Sequence, residues 1–520
     1  MQEQQAEKAR VYNSHYFNRL LVLFVGLMFT VFYIETMLTP SLPSITHEFG
    51  ISIAQASLLI AFYAMSGTAL VPVVGKLGDI YGKKRVLVYV LFAYAIAVSI
   101  TSFSPNFTFM LAARTVQGIG ISIVPLVFSL VREEFPRDKL PRAVGLLSGM
   151  NGAGLAVALP LGSLISNNYG WQGTYHTAIP FVILLAVLTY FLVKESPYKR
   201  PNVKVDYLGA TLLGSSLAII ILTLAQGPSW GWASIITISS ATIGITLFLP
   251  LVLYERYYLA RGGEPILNLR LLSIKNVMVT NFVAMGLLGV TLAEQVYVYR
   301  FELPVPVGFG FDIFKAGLSI VPFAVAMLVF APIAGQFVSK TGVKPLAFSG
   351  ALLAVLAFLL SSQLTTYTEW LICMFIVGAG LSIMVASIQN LLLLTVDPRD
   401  MGLANGLTAV FRNLGDTIGA PIAASVLSSF TVSLLVGHSQ AGTAIYKSFP
   451  SAAAFRYCFY IAAAVFVIIA IISLFAREVL GKNAKTELAQ KEPQVKNNAS
   501  RKKKQDKTDE IAPQQGGFKN

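Results

Sequence analysis

The chain has 520 residues, 55% of them hydrophobic and only 12% charged. Soluble globular chains carry about 25% charged residues, so this balance excludes an ordinary soluble enzyme. The apolar content excludes a disordered chain as well. A formal charge of +14 would suggest nucleic acid in a soluble protein, so the location of the cations decides its meaning.

Residues 1–18 are polar and read as a cytoplasmic segment, not a cleaved signal. Fourteen apolar runs follow, each near the roughly 20 residues a membrane helix needs. They are 19–40, 54–75, 86–103, 107–131, 141–166, 175–193, 207–226, 233–254, 276–299, 314–338, 345–363, 368–394, 402–436 and 454–477. Strand-length alternation is absent, which excludes a barrel. Lys83, Lys84 and Arg85 follow the second run, Arg132, Arg137 and Lys139 the fourth, Lys199, Arg200 and Lys204 the sixth, and Arg256 and Arg270 the eighth. The loops after the first, third, fifth, seventh and eleventh runs carry no Lys or Arg. The positive-inside rule then puts both termini in the cytoplasm, with Trp171, Trp230, Trp232 and Trp370 at the outer interface. The tail after Arg477, with its basic run at Arg501–Lys504, reads as disordered and in contact with lipid headgroups. Thus the charge reports topology, and nucleic acid is not an expected partner.

An internal repeat appears at an offset of about 260 residues. Gly75–Gly82 recurs at Gly335–Gly342, Gly118–Ser122 at Gly378–Ser382, and Pro136–Asp138 at Pro398–Asp400. The expected fold is an all-α polytopic membrane protein of two pseudo-symmetric six-helix bundles plus two inserted helices. Its parts are a cytoplasmic segment at 1–18, a bundle at 19–195, a linker with two extra helices at 196–275, a second bundle at 276–477 and a basic tail at 478–520. Cys373 and Cys458 lie in apolar runs, and His15, His47, His176 and His438 form no cluster, so neither a disulfide framework nor a metal site is expected. No phosphate-binding GK[ST] loop is present, and no cofactor is expected.

Gly75-Lys-Leu-Gly-Asp79-Ile-Tyr-Gly82-Lys-Lys-Arg85 resembles the loop signature of the major facilitator superfamily. Arg114-Thr-Val-Gln117-Gly118-Ile-Gly120 resembles its second signature. Gly154–Ser163 resembles the antiporter signature, with the proline one residue late and the last glycine replaced. Fourteen spans, Trp171, Tyr175 and Pro180, and Gly402–Gly406 with Arg412 and Gly415 are similar to the 14-helix drug:proton antiporter branch. The resemblance implies alternating access and a cytoplasmic latch formed by Gly75, Asp79, Gly82, Arg85 and Arg132, anchored by Asp79. As an acid among cations, Asp79 could attract Arg132 or a helix N-terminus. Lys83, Lys84 and Arg85 equally satisfy the positive-inside rule.

Charges inside the bilayer cost roughly 2.5 to 3.5 kcal/mol each on insertion scales, which makes them candidate machinery. At 1.5 Å per residue, Glu35 lies about 24 Å up its span and Arg114 about 10 Å below the opposite face, so their depths agree. In the resembling fold both of their helices line the central cavity. Glu35 and Arg114 are therefore expected to form a protonation-coupled pair, or else a static ion pair. Met374 takes the place of Arg114 in the repeat, which assigns proton handling to the first half. Gln117 lies one turn from Arg114, facing the cavity or bonding another helix. Glu294 faces the cavity and a cationic or hydrogen-bonding substrate, or pairs at the rim with Arg300. Arg412 and Asp416, four apart, share a face, with Arg412 in the substrate cavity and Asp416 assigned to proton coupling, or the two form a structural pair. The expected activity is proton-coupled export of amphipathic organic compounds by a monomer in the plasma membrane, with protons, substrate and lipid as partners. Proton-driven uptake of a small metabolite and a non-transporting receptor on the same fold are the alternatives.

Overall fold

The computed structural model describes residues 14–51, 53–136, 139–198, 206–263, 269–303, 305, 307–311, 313–364, 366–438 and 444–478. The expected terminal segment before residue 14, the tail after 478, and Arg137, Lys199, Arg200 and Lys204 lie outside them. Among the described residues, twelve helices are long and apolar enough to cross a membrane. Two causes separate this number from the fourteen apolar runs. Leu140–Leu192 is one continuous assignment of 53 residues that contains two runs. Gly170, at φ 71° and ψ 170°, breaks it into 140–169 and 171–192, a conformation that favours glycine. Met401–Ser429 has 29 residues but includes Asn405, Arg412, Asn413 and Asp416, and it is not among the twelve.

The thirteenth run was expected to stay helical to residue 436. The helix instead ends at Ser429, and Thr431–His438 pairs antiparallel with Ala444–Pro450. Two serines close the helix, and the Thr-Val-Ser-Leu-Leu sequence after it alternates as a strand does. Two further runs are interrupted at glycine. The ninth divides into Lys275–Met285 and Leu288–Glu302, and the fourth passes through a 3₁₀ turn at Gly118–Ser122. Trp171 and Trp370, expected at the lipid interface, are 1% and 2% exposed. Trp171 Nε1 donates to the exposed Glu48 Oε2 at 2.7 Å, so the ring is packed in protein while its polar tip reaches a surface carboxylate.

Two hydrophobic cores follow the repeat. One gathers residues from Leu20 to Leu271 together with Val277 and a set between Leu392 and Val410, the other residues from Val279 to Ala476. Leu403, Leu407 and Val410 of the Met401–Ser429 helix belong to the first core although they come from the second half. Glycines permit this approach. A Cβ at Gly75 would strike the carbonyl of Gly402, and a Cβ at Gly335 would strike that of Pro141. The repeat therefore yields two related seams, Ile53–Tyr81 against Met401–Ser429 and Val321–Thr341 against the start of Leu140–Leu192. The inserted helix Tyr207–Trp230 packs on both members of the first seam.

Candidate transport site

The Ser14–Thr36 helix carries Glu35 one residue from its end, half-buried. Asn106 caps the helix Phe107–Gln117, its Oδ1 accepting from Phe109 N at 2.9 Å, and this helix presents Arg114. The 3₁₀ turn after it explains the local packing. A Cβ at Gly118 would strike Ser66 and the Tyr63 carbonyl, and one at Gly120 would strike the Tyr94 ring. Those two close approaches gather aromatic residues around a fully buried arginine. The Arg114 guanidinium lies 4.6 Å from the Tyr63 ring centroid, a cation–π contact. Its Nη1 donates to Gln117 Oε1 at 3.3 Å, and Thr101 Oγ1 lies 3.4 Å from the same oxygen. Arg114 Nε, Gln117 Nε2 and the hydroxyls of Tyr63, Tyr94 and Tyr175 are buried without a hydrogen-bond partner among the described residues.

Among the described residues Glu35 and Arg114 form no direct ion pair. Glu35 lies in the combined field of Arg412, Asp416 and Arg114. The expected two-residue pair is thus a longer-range cluster with contributions from both halves. The Tyr63 ring covers a face of the guanidinium, and Gln117 takes an N–H of its edge, where a carboxylate would bind. Arg412 and Asp416 likewise form no direct pair among the described residues. Arg412 sits 5.8 Å from the Phe32 ring and donates from Nη2 to Asn413 Oδ1 at 3.5 Å, while Asp416 Oδ1 accepts from Thr291 Oγ1 at 3.1 Å. Asn413, unremarked in the sequence, is itself bonded across the halves, Nδ2 to Thr68 Oγ1 at 2.8 Å.

Glu294 lines a narrow, mostly apolar pocket whose other walls include Leu155, Ala293, Tyr297, Phe323 and Met374. Leu155 comes from the first half and the rest from the second. Arg300 does not join Glu294 at a rim. It donates to the Val307 carbonyl and lies 5.4 Å from the Phe455 ring. The side chain of Glu302 lies outside the described residues. Among the described residues no group of three or more His, Cys, Asp or Glu could hold a metal ion.

The basic end of the first seam holds the third site. Asp79 Oδ1 accepts from Gly402 N and Oδ2 from Leu403 N, each at 3.1 Å. Those amides are in the first turn of Met401–Ser429, whose own Asp400 makes no side-chain cap, so Asp79 caps the helix from the other half. Of the two partners considered for Asp79, the helix N-terminus is the one bonded. Lys83 lies at 3.0 Å from Asp79 Oδ1 and 2.6 Å from Glu133 Oε1, and donates to the Pro398 carbonyl at 3.0 Å. It is 0% exposed, which membrane-surface lysines are not. Gly82, at φ 107°, lets the Ile53–Tyr81 and Lys83–Ser102 helices meet in one residue. Arg85 is exposed and Arg132 half-buried. Sequence reasoning placed Arg85 in the latch and left Lys83 to the lipid surface. The available signal was helical spacing, since Lys83 is four residues from Asp79.

Two helical halves, charged groups at their boundary and a carboxylate cap across them fit a multi-pass membrane transporter. The chain matches the Major Facilitator Superfamily profile over residues 24–420 and 277–510 and belongs to that superfamily. It is 24% identical over 436 residues to Multidrug resistance protein Stp of Mycobacterium tuberculosis, covering 81% of this chain and 78% of that one. It is 27% identical over 434 residues to the Probable actinorhodin transporter of Streptomyces coelicolor, covering 78% and 73%. The structure of the proton:xylose symporter XylE shares the fold, with a TM-score of 0.63 and 16% identity over 91% of this chain and 98% of that one.

Proposed function

We propose that this transporter exports amphipathic organic compounds in exchange for protons by alternating access, as a monomer crossing the plasma membrane fourteen times with both termini cytoplasmic. The observation that carries the reading is the contrast between its intramembrane acids. Glu35 sits among Arg412, Asp416 and Arg114, where a change of protonation alters the forces between the halves. Glu294 sits on the wall of an otherwise apolar cavity, where it offers one charge or acceptor to a greasy ligand. The names of two relatives, a multidrug resistance protein and a probable actinorhodin transporter, support organic compounds as cargo. The Asp79 cap and buried Lys83 support a latch that holds the basic ends together while the opposite ends open.

The test is flux in reconstituted vesicles under an imposed pH gradient, with tetraphenylphosphonium, ethidium and a neutral dye as probes. Movement of a probe against its gradient, stopped by a protonophore, is the expected result. Accumulation in the direction of proton flow would establish symport instead. Absence of flux for a wide panel, metabolites included, would sink the transport reading.

A further inference from the structure

The seam between Ile53–Tyr81 and Met401–Ser429 changes character along its length. At the basic end it is closed by Asp79 on the amides of Gly402 and Leu403. In the middle Gly406 meets Val71 and Pro72, and Val71 packs with Ala409. At the far end, beneath the charged cluster, it finishes in one side-chain hydrogen bond between Thr68 and Asn413. Thr68 is 0% and Asn413 7% exposed, so each loses a buried partner when the seam opens. The Thr68 hydroxyl proton is already given to the Ala64 carbonyl at 2.7 Å, which leaves its oxygen as an acceptor for Asn413 Nδ2. That fixes the amide orientation, and the amide oxygen then faces Arg412 Nη2. The chain Ala64 carbonyl, Thr68, Asn413, Arg412 thus runs from the backbone of one half to the cation of the other that stands in the field of Glu35.

We propose that Thr68 and Asn413 are positioning residues that tie the placement of Arg412 beside Glu35 to closure of the seam. This rests on the proton-coupling reading of Glu35. When the seam parts, Asn413 turns away from Thr68, and Arg412 leaves together with Asp416 of the same helix, so Glu35 is left with Arg114 as its charged neighbour. The other ionisable groups facing Glu35 are Tyr63 and Tyr94, both on the first half, so they do not change with the seam. The bond acts on the proton site without touching proton or substrate.

The experiment measures seam closure by electron–electron distances between spin labels at Tyr81→Cys, at the end of one seam helix, and Arg477→Cys, whose backbone is bonded to Asn276 of the helix packed on the other. Both positions are exposed, one in each half, in a Cys373→Ala, Cys458→Ala background. The closed-to-open ratio is followed from pH 5 to pH 9, and the quotient of its two limiting values is the coupling. For the unaltered seam that quotient is expected at about 30, inside the usual range for linked sites. Thr68→Val, of equal shape without the hydroxyl, is expected to reduce it to about 3, and Thr68→Ser to restore it. If Thr68→Val moves both limits by one common factor and leaves the quotient intact, the bond is a strut and the proposal is overturned. If the unaltered seam shows no pH response, proton coupling of this cluster fails, and the proposal falls with it.

Discussion

The repeat places two versions of one design side by side. At an offset of about 260, Arg114 corresponds to Met374, and Glu35 falls one position from the counterpart of Glu294. Each half therefore sets an acid on its first helix and a long side chain on its fourth. In the first half that side chain is a buried guanidinium amid tyrosines and Gln117. In the second it is a thioether lining a cavity shared with Phe323 and Tyr297. A cation near a carboxylate can trade places with a proton, whereas a polarizable, flexible thioether fits irregular ligands. On the proposed function, the difference means that one helical scaffold serves coupling in one half and binding in the other according to one pair of residues.

The seams differ in the same manner. Gly75 and Gly335 both pack against the first turn of a helix from the opposite half. The first seam adds Asp79 as a cap, but the repeat places Ser339 there, exposed and bonded only to the Gln336 carbonyl. Among the described residues only the first of these two seams thus carries a carboxylate cap, and opening is expected to be uneven between the seams.

Exchanging residues between the halves breaks the comparison most severely. Arg114→Met, which gives the first half the second half's residue, is expected to lower proton-driven flux about 100-fold, or ~2.7 kcal/mol, with passive exchange of probe retained. Vesicle flux with and without a pH gradient separates the two. Asp79→Asn keeps the shape of the cap but removes its charge. A loss of about 1 to 2 kcal/mol at the latch, read as a 5- to 30-fold gain in labelling of a cysteine placed at Gly78, is the expected result. Glu294→Gln should weaken binding of tetraphenylphosphonium by about tenfold, measured by equilibrium dialysis, and leave a neutral dye nearly unaffected. The smallest effect belongs to Ser339→Asp, which supplies the second seam with an acid near a helix N-terminus. It is expected to strengthen closure by roughly 0.3 to 1 kcal/mol, and spin-label distances across that seam would register it.

Much of the architecture was legible because lipid imposes a simple rule of about 20 apolar residues per span. The rule misreads segments whose role is to be polar or to turn. Met401–Ser429 carries the groups that bridge the halves, so its composition departs from that of an ordinary span. The apolar runs 141–166 and 175–193 already part in the sequence, and the backbone angle of Gly170 fixes where the chain turns between them. The charged residues Glu35, Arg114, Glu294, Arg412 and Asp416 stood out against the apolar background, but their partners did not. Lys83 reads like its neighbours Lys84 and Arg85 until the fold sets Glu133 and the Pro398 carbonyl beside it. Thr68 and Asn413 are ordinary residues in a sequence, 345 positions apart, and acquire meaning only by meeting.

The claim at the centre is that coupling belongs to Glu35 and binding to Glu294. Proton flux and tetraphenylphosphonium flux, recorded together in the same vesicles for Glu35→Gln and Glu294→Gln, address it directly. Glu35→Gln should abolish the dependence of probe flux on the pH gradient while probe still exchanges down its own gradient. Glu294→Gln should raise the half-saturating probe concentration while the remaining flux stays gradient-driven. If both variants lose affinity and gradient dependence in the same proportion, the two acids serve one common site and the division between the halves is wrong.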